Sequence, residues 1–129
     1  MDFMDKLVES INQIPNLPLP IRKGYLGPTE CMVLYPLPGG QKAQTYMDGA
    51  KDIELNCEIA MKSKDAGKID TCLWLVADFL ETMETLESKQ FEFNDLNITS
   101  KPFINDADEQ GWFVFLLDFQ ANLTTGGKQ

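Results

Sequence analysis

The sequence predicts an α+β domain, a mostly antiparallel sheet of about five strands packed with two helices, in the order α-β-β-β-α-β-β. Three observations carry that prediction. Apolar residues recur every three or four positions in two segments, residues 2–14 and 65–86, which is the period of an amphipathic helix. Residues 51–61 and 111–123 alternate with the two-residue period of a strand. Consecutive strands also lie close in sequence, which favours antiparallel pairing over long crossovers.

The first helix is expected over residues 2–14, where Phe3, Leu7, Ile11 and Ile14 share a face, Met4 and Val8 widen it, and Pro15 stops it. Pro18 and Pro20 cannot donate ladder hydrogen bonds, so a strand over residues 19–26 belongs at a sheet edge. After the Gly27-Pro28 turn, residues 30–35 suit a more central strand. Residues 36–49 hold Pro38, Gly39, Gly40 and the pair Asp48-Gly49 without sustained periodicity, and are expected as a long loop. Next, Ile53, Leu55, Cys57, Ile59 and Met61 alternate with Asp52, Glu54, Asn56, Glu58 and Ala60, a long half-buried strand with one acidic face.

Asp65 or Gly67 opens the second helix. Its apolar positions Ile69, Cys72, Leu73, Val76, Phe79, Leu80, Met83 and Leu86 run for about five turns and should pack on the sheet. Phe91 and Phe93 then share one strand parity while Leu96 and Ile98 share the other, so a bulge is expected near Asn94-Asp95. Residues 101–110 read as a turn, and residues 111–123 as the last strand. A single domain over 1–123 with a flexible polar tail at 124–129 follows.

That last strand is apolar on more than one side. Phe113, Phe115, Leu117, Phe119, Ala121 and Leu123 make one face, while Trp112, Val114 and Leu116 make half of the other apolar too. Both sides need cover, either from one helix each or from a second subunit.

Composition narrows the function. At 129 residues the chain hides roughly 65% of its unfolded surface and needs no disulfide or metal to fold. Eleven Lys plus Arg against 20 Asp plus Glu leave a net charge of −9, which argues against a protein that grips phosphate. Histidine is absent, which removes imidazole-based triads, ligands and pH switches. Cys31, Cys57 and Cys72 are odd in number, widely spaced and set in apolar patterns, as buried thiols of a reducing compartment would be. Asp2, Asp5, Lys6 and Glu9 interrupt the apolar residues of the first segment, so it is not expected to act as a signal peptide. The longest apolar runs, residues 72–77 and 112–117, fall far short of the ~20 needed to span a bilayer. A soluble protein without membrane contact is expected.

No motif supplies catalysis, a cofactor or a metal site. Asp106, Asp108 and Glu109 lack the ligand spacing of a calcium loop and suit a solvated turn. Gly39-Gly40 before Lys42 lacks phosphate-loop spacing, and Ser63, Lys64 and Asp65 are mere neighbours in sequence. Asn97-Ile-Thr99 and Asn122-Leu-Thr124 match the glycosylation sequon by chance. Trp74, Phe103 and Trp112 suit core or subunit packing, because base stacking needs a basic groove beside it.

The stretch Tyr46-Met-Asp-Gly-Ala-Lys-Asp-Ile-Glu-Leu-Asn-Cys-Glu-Ile-Ala-Met-Lys-Ser-Lys-Asp65 resembles a family of phage and prophage minor capsid proteins. So does Ile98-Thr-Ser-Lys-Pro-Phe-Ile-Asn-Asp-Ala-Asp-Glu-Gln-Gly-Trp112 with the Phe-Val-Phe-Leu-Leu-Asp118 that follows. These look like the tail-terminator, or tail-to-head joining, proteins of long-tailed phages of Gram-positive bacteria. The resemblance implies a non-enzymatic virion subunit, made in the host cytoplasm, that forms a hexameric ring on the tail tube. Its partners would be copies of itself, the tail-tube protein and the head connector, with DNA only passing through.

Under that implication, Tyr46, Met47, Trp112, Val114 and Leu116 are candidate subunit contacts. Asp52, Glu54, Glu58, Asp106, Asp108 and Glu109 are candidates for an acidic channel face that repels phosphate, with plain solubility as the alternative. A head-completion protein of the same joint, an acidic protein-binding module and a metal-using enzyme are the competing classes.

Overall fold

A computed structural model describes residues 2–37, 41–45, 49–86, 88–99, 103–105 and 110–125, with the backbone alone for 41–45 and 103–105. In chain order the elements are α1 (Phe3–Ile11), β1 (Ile21–Lys23), β2 (Cys31–Pro36), β3 (Gln41–Thr45), β4 (Lys51–Ser63), α2 (Ala66–Thr82), β5 (Phe91–Ile98), β6 (Phe103–Asn105) and β7 (Phe113–Thr125). The sheet path is β1-β2-β4-β7-β5, with β3 on β4 and β6 on β7. β2 and β3 flank the same side of β4 in succession, pairing with residues 57–62 and 51–54. β5 and β6 do the same along β7. The sheet therefore has five ranks, two of them interrupted, and the α+β reading holds. Only β1 runs parallel to its neighbour, at the edge where its flanking prolines point.

The two long strands β4 and β7 form the spine, paired from Lys51↔Thr125 to Ser63↔Phe113. Strict alternation puts Cys57, Ile59, Met61, Phe115, Leu117, Phe119, Ala121 and Leu123 on one face, all buried. Both helices lie on this face: Phe3, Leu7 and Ile11 of α1 and Ile69, Cys72, Val76 and Leu80 of α2 join the same core cluster. The option of one helix per face is thus overturned. The physical reason is that each helix carries a single apolar stripe and the apolar face of β4, β7 and β2 is broad enough for both.

The expected bulge is present, with a register shift between Phe93 and Asp95 that turns Phe93 and Leu96 onto one face. Other boundaries moved. α1 ends at Ile11 rather than Ile14, because the Asn12 side chain leaves the helix end to clamp β1: its Nδ2 donates to Ile21 O (3.0 Å) and its Oδ1 accepts from Ile21 N (2.8 Å). α2 is capped by Asp65, whose carboxylate accepts from Lys68 N (3.1 Å), and stops at Thr82 where Met83 turns extended. Leu86 still reaches the core from the following segment.

Two expected loops contain ladder. β3 falls within residues 36–49 and β6 within 101–110, and β7 continues through Thr124 and Thr125, which were expected in the tail. β3 reads Gln-Lys-Ala-Gln-Thr, a sequence without apolar alternation, so its pairing is set by the open edge of β4 rather than by any pattern of its own.

Candidate functional site

The sheet face opposite the helices has three zones, set by the register of β2, β4 and β7. At one end, Val33, Ala60 and Leu116 stand in a row across the three strands. Val33 and Ala60 are fully buried; Leu116, Val114 and Trp112 are half-buried. Residues 24–30, which connect β1 to β2, run over this side: Tyr25 stacks on Tyr35 with centroids 5.0 Å apart, and Lys62 Nζ donates to Gly27 O (3.4 Å). The Lys62 and Lys64 ammonium groups lie 5.0 and 4.9 Å from the Trp112 ring centroid, within cation–π range.

The middle row is Tyr35, Glu58 and Asp118, again one residue from each strand. The Tyr35 hydroxyl donates to the Glu58 carboxylate. Burial, reinforced by the hydrogen-bonded Asp118 carboxyl, pushes the Glu58 carboxyl above its ordinary value, although the Tyr35 hydroxyl works the other way. Burial and Glu58 together push the Tyr35 phenol upward. Asp118 Oδ1 is buried without a hydrogen-bond partner among the described residues. A second carboxylate facing Glu58 in a half-dry row makes its charged form costlier, which is part of why the Glu58 carboxyl is raised.

The third zone is polar. Asp52 accepts from Thr124 Oγ1 (2.8 Å), which accepts from Asn94 Nδ2 (2.9 Å). Gln120 Nε2 donates to Asn56 (3.2 Å), and Asn122 donates to Asp95. Glu54 is half-buried opposite Asn122.

Both candidate sets from the sequence therefore meet on this one face. Trp112, Val114 and Leu116 occupy its apolar end; Asp52 and Glu54 occupy its polar end. Glu58 differs from these two, because it is spent on Tyr35 and Asp118. Tyr46, Met47, Asp106, Asp108 and Glu109 lie outside the described residues. The Tyr35–Glu58–Asp118 row was invisible to periodicity, which gives parity along one strand but not the register between strands. Tyr25 and Trp74 are 69% and 70% exposed; of the two options for Trp74, core or subunit packing, the exposure removes the core and leaves subunit packing open.

Ser63 is a structural tie: fully buried, its Oγ donates to Glu30 (2.6 Å) and accepts from Asp65 N (3.0 Å). Lys68 Nζ completes this tie at 3.0 Å from Glu30, and these hydrogen bonds, Ser63 first, hold the Glu30 carboxyl below its usual value. The three cysteines are free thiols; Cys57 and Cys72 are buried, which pushes the Cys57 thiol up to about 12, while Cys31 is half-buried. Among the described residues no group of three or more acidic or cysteine side chains is placed to hold a metal, and no helix is long and apolar enough to cross a membrane.

No curated protein matches the chain. Residues 11–125 match the family described as bacteriophage tail terminator protein, a span from the last residue of α1 to the last of β7 that takes in the whole sheet. The chain belongs to the bacteriophage tail terminator protein family, whose members are structural components of the virion.

Proposed function

We propose that the chain is a tail terminator subunit that assembles as a hexameric ring on the end of the tail tube, halts tube growth and presents a surface to the head connector. The observation that carries this reading is the sheet face without a helix. Its half-buried Trp112, Val114 and Leu116 end is apolar surface of the kind association covers, and its Asp52 and Glu54 end is acidic. A ring uses heterologous contacts, in which one patch meets a different patch on the next copy.

The split of the face along the strands lets one subunit serve two surroundings. The apolar end meets a neighbouring protein, and the acidic end turns toward the channel, where carboxylates repel passing phosphates. The Tyr35–Glu58–Asp118 row marks the boundary. DNA is neither bound nor read. Assembly takes place in the host cytoplasm.

Mixing the purified chain with polymerised tail tubes tests this. Cosedimentation and a ring of density at one tube end are expected in electron micrographs. Binding to head connectors alone, with bare tube ends, would move the chain to head completion.

A further inference from the structure

Two large aromatic side chains are exposed among the described residues, Trp74 and Tyr25, and their surroundings are opposite in charge. Trp74 projects from the outer side of α2, away from buried Ile69, Cys72, Val76 and Leu80. Asp70 and Asp78 stand four residues either side of it and Glu81 seven after, all exposed, so helical spacing rings the indole with carboxylates. None of the three carboxylates is in an ion pair among the described residues.

Tyr25 sits beside Arg22. The guanidinium is laid over the backbone of residues 24–27: a Cβ at Gly24 would stand 2.9 Å from Nη1, and one at Gly27 would stand 3.9 Å from Nη2. Gly24 has φ +139°, so the path that leaves room for Arg22 there is one L side chains rarely adopt. Arg22 is exposed and also outside any ion pair among the described residues, and Tyr25 is braced from behind by Tyr35.

The two patches lie on different sides of one subunit. α2 covers β4, β7 and β5 on the helix side, whereas Arg22 and Tyr25 belong to the β1 edge and the crossover on the other side. An acidic patch cannot meet itself across a two-fold axis without repulsion, so the complementary pair fits a head-to-tail contact. β-strand addition at the β1 edge is opposed, since Asn12 already occupies the N–H and C=O of Ile21.

We propose that the occupant of the Trp74 face is a second copy of this chain: Trp74, ringed by Asp70, Asp78 and Glu81, docks against Arg22 and Tyr25 of its neighbour. This rests on the ring reading above and names the residues of one contact. Trp, Tyr and Arg are the side chains that dominate association energies, and Arg over an indole adds cation–π attraction to its pairing with carboxylates.

The test is charge exchange, read by mass photometry and by ring density on tail tubes. Arg22→Glu and Asp78→Arg should each raise the concentration needed for assembly by about tenfold or more, and the double variant should recover much of the loss. Trp74→Ala should behave like the single variants, with unchanged circular dichroism showing an intact fold. If wild type assembles and all of these variants assemble equally well, this contact is wrong while the ring stands. A wild type that stays monomeric even on tail tubes overturns both. Rings that form normally but no longer hold the tube after Trp74→Ala would assign the face to the tube protein, against the proposal.

Discussion

Leu116 and Leu117 are neighbours in β7 whose truncation should have opposite consequences. Leu117 is fully buried under the helices, paired with Ile59 and flanked on its face by Phe115 and Phe119. Leu117→Ala removes a side chain from a packed core and leaves a cavity, a cost of about 3–5 kcal/mol. For a chain of this length about 4 °C of melting temperature accompanies each kcal/mol, so a fall of about 12–20 °C is expected.

Leu116 points to the other side, half-buried beside Ala60. Part of its surface is already wet in the free subunit, so Leu116→Ala should cost about 1–2 kcal/mol there and lower the melting temperature by about 4–8 °C. Its larger effect should fall on assembly. Differential scanning calorimetry on the free subunit, paired with cosedimentation on tail tubes, separates the two. Leu117→Ala should bind tubes below its own melting point, whereas Leu116→Ala should bind weakly while still folded. Tube binding by Leu116→Ala equal to wild type would refute the assignment of the apolar end to a contact.

Three further variants probe the same surface and its support. Glu58→Gln keeps an acceptor for Tyr35 and gains a donor for Asp118. Because the folded carboxyl titrates above its ordinary value of 4.5, Glu58 costs stability as pH rises through that range, so the variant should exceed wild type at neutral pH and lose its advantage below about pH 4.5 in urea titrations. Ser63→Ala should lose about 1–3 kcal/mol, since Asp65 N and Glu30 each lose a partner. The Glu30 carboxyl is held low, so that part of the loss should be present at neutral pH and fade as pH falls below about 4.5. Asp52→Lys with Glu54→Lys should leave rings on tubes but slow DNA delivery, measured as infectivity per assembled particle; unchanged infectivity would remove the channel role.

Parity along single strands was legible and register was not. The alternation in residues 51–61 and 111–123 already separated Leu116 from Leu117, and the parity flip between Phe93 and Leu96 already located the bulge. What periodicity omits is which residues stand side by side. Tyr35, Glu58 and Asp118 come from three strands, and only the pairing of β4 with β2 and β7 aligns them. β3 leaves no strand signal in the sequence because a strand that borrows its stability from a neighbour's open edge needs no apolar pattern of its own. The helix ends moved for local reasons, Asn12 turning to β1 and Met83 extending to bring Leu86 inward. Between core and subunit packing, the place of Trp74 beside the apolar stripe does not decide; the carboxylates at the fourth positions before and after it are the signal for the outer face.

The family assignment makes one claim about tails that can be measured directly, their length. Tail tubes assembled without this chain should grow past the length seen in complete particles, and purified chain added during assembly should restore a single length in electron micrographs. Tubes that stop at normal length in its absence, and merely fail to join heads, would contradict the account.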